Sequence, residues 1–268
     1  MSGGPILEVD SLKVHFPVRK GVFSRVTGYV KAVDGISFSM ERGETLAIVG
    51  ESGCGKSTTA RSILRLVRPT SGKILVCGED ISRFSGKSLM AYRRRVQAVF
   101  QDPLASLNPR HSILEAVTEG MVVHGLCGES ERREKGAALL AAAGLDADLL
   151  DRWPHELSGG QRQRVCIARA IALKPEILIC DEAVSALDLS IRAQVLDLLE
   201  SLKKELGLSI LFITHDLGVV QNVAGRVLVM NAGKIVESGP AAEVLSRPKE
   251  AYTKALVAAA PSIVRRPL

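Results

Sequence analysis

The sequence predicts an α/β protein built on a mostly parallel sheet, with an antiparallel β portion at its N-terminal end and an inserted helical subdomain. Three observations carry this expectation. A glycine-rich loop, Gly50-Glu-Ser-Gly-Cys-Gly-Lys-Ser-Thr58, stands between a buried-strand pattern and a helical one. Strand-like and helix-like patterns alternate again in the last third of the chain. Between these regions, from Ser112 to Leu150, apolar residues recur at helical spacing.

The elements follow in order. Leu7 to Phe16 alternates as a strand does. Pro17 to Gly28, with its Pro, Gly and basic residues, reads as a loop or insertion. Val30 to Met40 reads as a second strand carrying an Asp34-Gly35 turn signal. Glu44 to Gly50 is a buried strand, and after the loop Ala60, Ile63, Leu64 and Val67 mark one face of a helix. Ser71-Gly72 punctuates. Lys73 to Gly78 and Val96 to Phe100 read as strands, the second ending at Gln101. Ile113, Ala116, Val117 and Gly120, then Glu129 to Ala143, are helical. Ile177 to Cys180, Leu208 to Ile213 and Arg226 to Met230 are strand-like, and Ile191 to Leu206 is helix-like. Pro240 to Leu256 looks helical and Pro261 to Leu268 frayed. One domain over 6–268 is expected: an α/β core at 6–101 and 158–240, a helical subdomain at 102–157 and a C-terminal helical tail at 241–268.

Bulk properties exclude several classes. Hydrophobic residues make up 46% and charged residues 24%, an ordinary soluble balance. No run approaches the roughly 20 apolar residues of a membrane span. Met1 to Glu8 lacks the regions of a signal peptide, so a cytoplasmic location is expected. The net charge is +6. A basic balance fits nucleic acid or an anionic membrane surface, but the charges are spread out. The densest run, Arg93-Arg-Arg95, is short and holds no aromatics, which favours a solvated surface around a nucleotide pocket. The five cysteines form no C-x-x-C pair, against a zinc or iron–sulfur site. Cys77, Cys166 and Cys180 read as buried thiols. Cys54 lies inside the loop, where thiol reagents are expected to block nucleotide binding.

The chemistry of the loop demands its residue types. Gly50, Gly53 and Gly55 let the backbone curl so that N–H groups face phosphate oxygens, with Glu51, Ser52, Cys54 and Thr58 completing the cradle. Lys56 is placed to reach the β- and γ-phosphates, and the Ser57 hydroxyl to hold Mg²⁺. The strand Ile177-Leu-Ile-Cys180 ends in Asp181, a candidate Mg²⁺ ligand, and Glu182, a candidate to polarise water. Leu157-Ser158-Gly159-Gly160-Gln161 opens another helix. It is either a second anion-binding helix start or a capped helix after a glycine turn.

The phosphate loop, Gln101, the Leu-Ser-Gly-Gly-Gln signature, the apolar strand ending Asp181-Glu182, Ser185-Ala-Leu-Asp188 and His215 occur in an order that resembles the nucleotide-binding subunits of ATP-binding cassette transporters. The resemblance runs from about Leu7 to Gly239. It implies head-to-tail cassette dimers that sandwich ATP, so Ser158, Gly159, Gly160 and Gln161 are expected to contact ATP held by a partner. Gln101 is implied to sense Mg²⁺ and the attacking water, Asp188 to lie at the dimer seam, and His215 to contact the γ-phosphate. An aromatic is implied to stack on adenine: Phe16, or else Tyr29.

Phe100-Gln-Asp-Pro-Leu-Ala-Ser-Leu-Asn-Pro-Arg110 and Ala251-Tyr-Thr-Lys-Ala-Leu256 resemble the dipeptide/oligopeptide and nickel importer branch, and specifically the second ATPase of its pair. That implies a second ATPase chain, two permeases and a substrate-binding protein as partners, at the cytoplasmic face of a bacterial inner membrane. Leu104, Leu107 and Ile113 either meet a permease helix or pack within the helical subdomain. Opines, glutathione, nickel and sugars are alternative cargoes. A soluble ATPase acting on nucleic acid is the remote alternative, disfavoured by the short helical insert and the lack of zinc spacing.

Overall fold

Alternation builds the first sheet. In β1 (Leu7–Lys20), Val9, Leu12 and Val14 are buried while Asp10, Ser11 and Lys13 face solvent. β1 pairs antiparallel with β2 (Arg25–Met40). The computed structural model describes residues 4–20 and 25–260. Residues 21–24 of the expected loop, the expected frayed end at 261–268, and the first three residues of the stretch read for a signal peptide lie outside the described residues.

The expected loop at Pro17–Gly28 is largely strand instead. Pro17 pairs with Tyr29, Val18 with Gly28 and Arg19 with Val26. Val18, Val26, Tyr29 and Val30 are good strand formers. The pairing of β1 with its other neighbour stops at Lys13, so Pro17 lies where a missing N–H interrupts no second ladder. The Asp34-Gly35 signal marks a bulge, not a turn. The register jumps from Leu12↔Ile36 to Lys13↔Asp34, leaving Gly35 as the extra residue at φ 83°.

The chain divides into two compact units: one runs to Phe84 and resumes at Leu211, the other is Ser85–Ile210. In the first unit, β3 (Thr45–Val49) is buried along its length and leads through the glycine loop into α1 (Lys56–Ile63). α1 is shorter than its apolar spacing suggested. Arg65 takes a left-handed φ of 59° and its guanidinium binds the carbonyls of Ile81 and Phe84. β4 (Ser71–Val76) pairs antiparallel with β1, and β5 (Glu79–Asp80) with β4.

The second unit opens with α2 (Gly86–Arg95), which the charged sequence did not reveal, and β6 (Val96–Phe100). A short α3 (Pro103–Ser106), α4 (Ile113–Val123) and α5 (Arg132–Ala142) follow. α4 starts with a capping box: Ser112 Oγ accepts the Glu115 N–H at 3.2 Å, and Glu115 accepts the Ser112 N–H at 2.8 Å. Then come α6 (Gly159–Ile171), β7 (Ile177–Asp181) and α7 (Leu189–Leu206). β6 and β7 pair in parallel.

β8 (Ser209–Thr214) carries the chain back into the first unit, followed by α8 (Leu217–Val223), β9 (Arg226–Asn231), β10 (Lys234–Pro240), α9 (Ala241–Ser246) and α10 (Ala251–Ala259). There the strand order is β10-β9-β3-β8, with β3 and β9 parallel and β10 antiparallel. The expected single helix over Pro240–Leu256 is two helices, broken at Arg247–Glu250. Their apolar faces join one core cluster with Ala47 and Val49 of β3: Val244 and Leu245 are buried in it, and Tyr252, Leu256 and Val257 pack on it.

Candidate nucleotide-binding site

In the first unit the loop after β3 is shaped by close approach. A Cβ on Gly50 would strike the carbonyl oxygen of Met230 and lie 2.8 Å from Cys54 Sγ; one on Gly55 would strike the carbonyl oxygen of Ala32. Only glycine fits either position. Lys56 is 4% exposed, and its Nζ donates to the carbonyls of Gly50 (2.7 Å) and Glu51 (2.8 Å). The loop thus holds a buried ammonium with the dipoles of its own carbonyls. α1 has no side-chain N-cap and no acid in its first turn, so neither offsets the positive end of the helix. Ser57 and Thr58 are half-buried there, and Glu51, Ser52 and Gly53 are exposed. Cys54 is buried, with Sγ 3.8 Å from Lys56 Nζ, so a thiol reagent meets a shielded target.

His215 is exposed at the turn between β8 and α8. The turn is fixed on both sides: Thr214 Oγ1 accepts the Asp216 N–H at 3.0 Å, and the Asp216 carboxylate accepts the Gly218 and Val219 N–H groups. Phe16 pairs with Val30, and Tyr29 with Pro17. Adjacent pairs in a ladder present opposite faces, so the two aromatics lie on opposite faces of the β1–β2 ribbon.

In the second unit, Phe100 pairs with Asp181, so Gln101 and Glu182 are the next residues past two adjacent strand ends. Gln101 is exposed and Asp181 buried. Glu182 has φ 52°, a left-handed conformation costly for a residue with a Cβ. Its carbonyl accepts from the Ser185 N–H (3.1 Å) and hydroxyl (2.9 Å), which hold that conformation. The segment after Gln101 is tied to the signature helix. Arg169 donates to the Ser106 carbonyl at 2.5 Å, and Cys166 Sγ lies 3.8 Å from the Pro103 carbonyl. Leu107 and Ile113 are buried and Leu104 is 48% exposed, so of the three proposed apolar contacts only Leu104 is presented outward.

The signature residues form a capping box. Ser158 Oγ accepts the Gln161 N–H at 3.3 Å, and Gln161 Oε1 accepts the Ser158 N–H at 2.9 Å. The two glycines differ. A Cβ on Gly160 would lie 2.7 Å from Ile191 Cγ2, whereas nothing lies within 4 Å of one on Gly159. Asp188 is exposed at the start of α7, makes no side-chain cap, and is followed by Leu189, 81% exposed. A cavity of about 270 Å³ lies among Gln101, Gly159, Gln163 and Ala183.

The cysteine expectations divide. Burial pushes the Cys166 thiol up to about 11 and the Cys180 thiol up to about 12, as inert core thiols behave. Cys77 is only half-buried, at φ 50° in a turn, and accepts from Arg42 Nη2 at 3.1 Å. Its apolar neighbours in β4 end one residue earlier, which is why the pattern misled. Tyr252 stood in the sequence only within a resembling segment, with no sign of its place beside the loop, and neither Ile191 behind the signature nor the φ of Glu182 left a local pattern.

The ABC transporter profile matches residues 33–185. The chain belongs to the ABC transporter family. This ABC cassette is 50% identical over 97% of its length to the oligopeptide transport ATP-binding protein AppF of Bacillus subtilis, covering 80% of that protein. It is 49% identical over 96% of its length to the glutathione import ATP-binding protein GsiA of Pectobacterium atrosepticum, but spans only 41% of GsiA. Its fold matches the dimeric cassette MJ0796 in a post-hydrolysis state with ADP and Pi, at a TM-score of 0.77 and 28% identity, over 88% of this chain and 98% of that one. No helix among the described residues of the cassette is long and apolar enough to cross a membrane.

Proposed function

We propose that this cassette is the ATP-binding and ATP-hydrolysing subunit of an importer, with di- or oligopeptides as cargo. The observation that carries the reading is the loop: a buried Lys56 in a cradle that only glycines can form, opening a helix with no side-chain cap and no acid in its first turn. The name of AppF supports peptide cargo. The name of GsiA favours the second reading, glutathione, itself a short peptide; nickel, opines and sugars remain further alternatives.

ATP would lie with its phosphates against residues 50–58 and its adenine on Phe16 or Tyr29. The oxygen donors of Ser57, Gln101 and Asp181 suit a hard cation, and among the described residues no cluster of three His, Cys, Asp or Glu offers a competing site. Mg²⁺ held by those donors would neutralise charge on the phosphate oxygens. Lys56 stabilises the phosphate charge, Glu182 takes the proton of the attacking water, and His215 and Gln101 hold the γ-phosphate and that water in place. Ser158, Gly159, Gly160 and Gln161 would meet ATP bound by a partner cassette, with Asp188 at the seam; the dimeric neighbour supports that arrangement.

The domain plan proposed is one cassette over 6–268, with the helical segment 102–157 as the region that follows a permease. A second ATPase chain, two permeases and an extracytoplasmic binding protein complete the assembly at the cytoplasmic face of the bacterial inner membrane; no nucleic acid takes part. The test is a pull-down from solubilised membranes, followed by ATP hydrolysis with a peptide panel. Two permeases and a second cassette are the expected result. Recovery of this chain alone, or with nucleic-acid proteins, would overturn the transport reading.

A further inference from the structure

We propose that Tyr252 is a positioning residue for the phosphate loop, and that the Ala251–Leu256 motif exists to place it. Tyr252 Oη accepts the backbone N–H of Glu51 at 3.0 Å, across a sequence separation of 201 residues. Glu51 is the hub of the loop. Its carbonyl accepts Lys56 Nζ at 2.8 Å and the Cys54 N–H at 3.3 Å. One peptide group is therefore fixed at its donor by the C-terminal helix, and the next carbonyl along fixes the ammonium of the loop.

The helix is anchored at both ends of its reach. Glu237 of β10 accepts the N–H groups of Lys249 (2.9 Å) and Glu250 (3.1 Å), which sets where α10 begins. Tyr252, Leu256 and Val257 then pack on the cluster that includes Ala47 and Val49 of β3, the strand delivering the loop. The tyrosine ring supplies packing, and its hydroxyl supplies the contact with the loop. Leu256 shares the packing but its side chain has no hydrogen-bonding group, so the two roles can be separated by substitution.

This inference rests on the loop being the ATP cradle, and the test separates the two. In Tyr252→Phe the ring stays and the hydroxyl goes. One hydrogen bond corresponds to about a three- to tenfold change in an equilibrium constant. The Kd for ATP should rise by about that factor, with kcat at saturating ATP nearly unchanged. Hydrogen exchange of the peptide spanning Glu51–Lys56, measured without nucleotide, should quicken by a similar factor. Leu256→Ala should lower the melting temperature while leaving both readouts near those of the parent. If the parent itself fails to bind ATP, the nucleotide reading falls, and the exchange measurement still judges the positioning role. If Tyr252→Phe matches the parent in exchange, the positioning role is wrong.

Discussion

Glu182, the proposed base, holds its position at a backbone cost. Its left-handed φ is opposed by its own Cβ and sustained by the two bonds that Ser185 makes to its carbonyl. Glu182→Gln should keep ATP affinity and lower turnover by about 100-fold or more, since it removes only the proposed proton acceptor. Lys56→Ala should act differently. It deletes a buried charge with charge-assisted bonds, so the Kd for ATP should rise by about 10- to 100-fold, read by titration with a fluorescent nucleotide. Turnover at the parent rate in Glu182→Gln would remove it from the base role. Both residues were singled out by their motifs. The conformation of Glu182 was not, because a positive φ in a non-glycine residue leaves no trace in composition. Tyr252 was legible only as part of a resemblance, since a contact 201 residues distant obeys no local period.

The helices explain which parts of the pattern could be read. α4 and α6 each begin with Ser followed three residues later by Glu or Gln, and both boxes close as that spacing requires. Ser158→Ala should therefore cost about 1 kcal/mol and lower the melting temperature by about 2–4 °C, a loss visible by calorimetry. α2 escaped notice because its charged surface hides any apolar period, and β10 because glycine and proline close it. The Pro17–Gly28 stretch misled for the converse reason: breakers at its ends obscured the strand formers between them. α10 adds a pH dependence. Burial pushes the Glu237 carboxyl up, but the Thr253 side chain, the N–H groups of Lys249 and Glu250, and the Lys249 charge together outweigh this and hold it below the usual range. Its contribution is complete above the ordinary carboxylate pKa and is lost as pH falls through the lowered value. Melting followed from pH 7 down to pH 3 should show a smaller acid loss in Glu237→Gln than in the parent.

For the molecule as a whole, the split of the chain into two compact units places Lys56 and His215 in one and Gln101, Asp181, Glu182 and the signature in the other. The composition change that marked the helical segment did not foretell where the units divide, because contacts rather than residue type set that boundary. The profile match gives the cassette its family, while the proposed partners and cargo are tested by isolating it from membranes. Gly160 has a consequence of another kind. Its missing side chain is occupied by Ile191 of the same cassette. Gly160→Ala should therefore be an inherited defect with a local cure. Cells selected for restored transport should yield second mutations at codon 191 to a smaller residue, and Gly159→Ala, whose side chain has room, should yield none there.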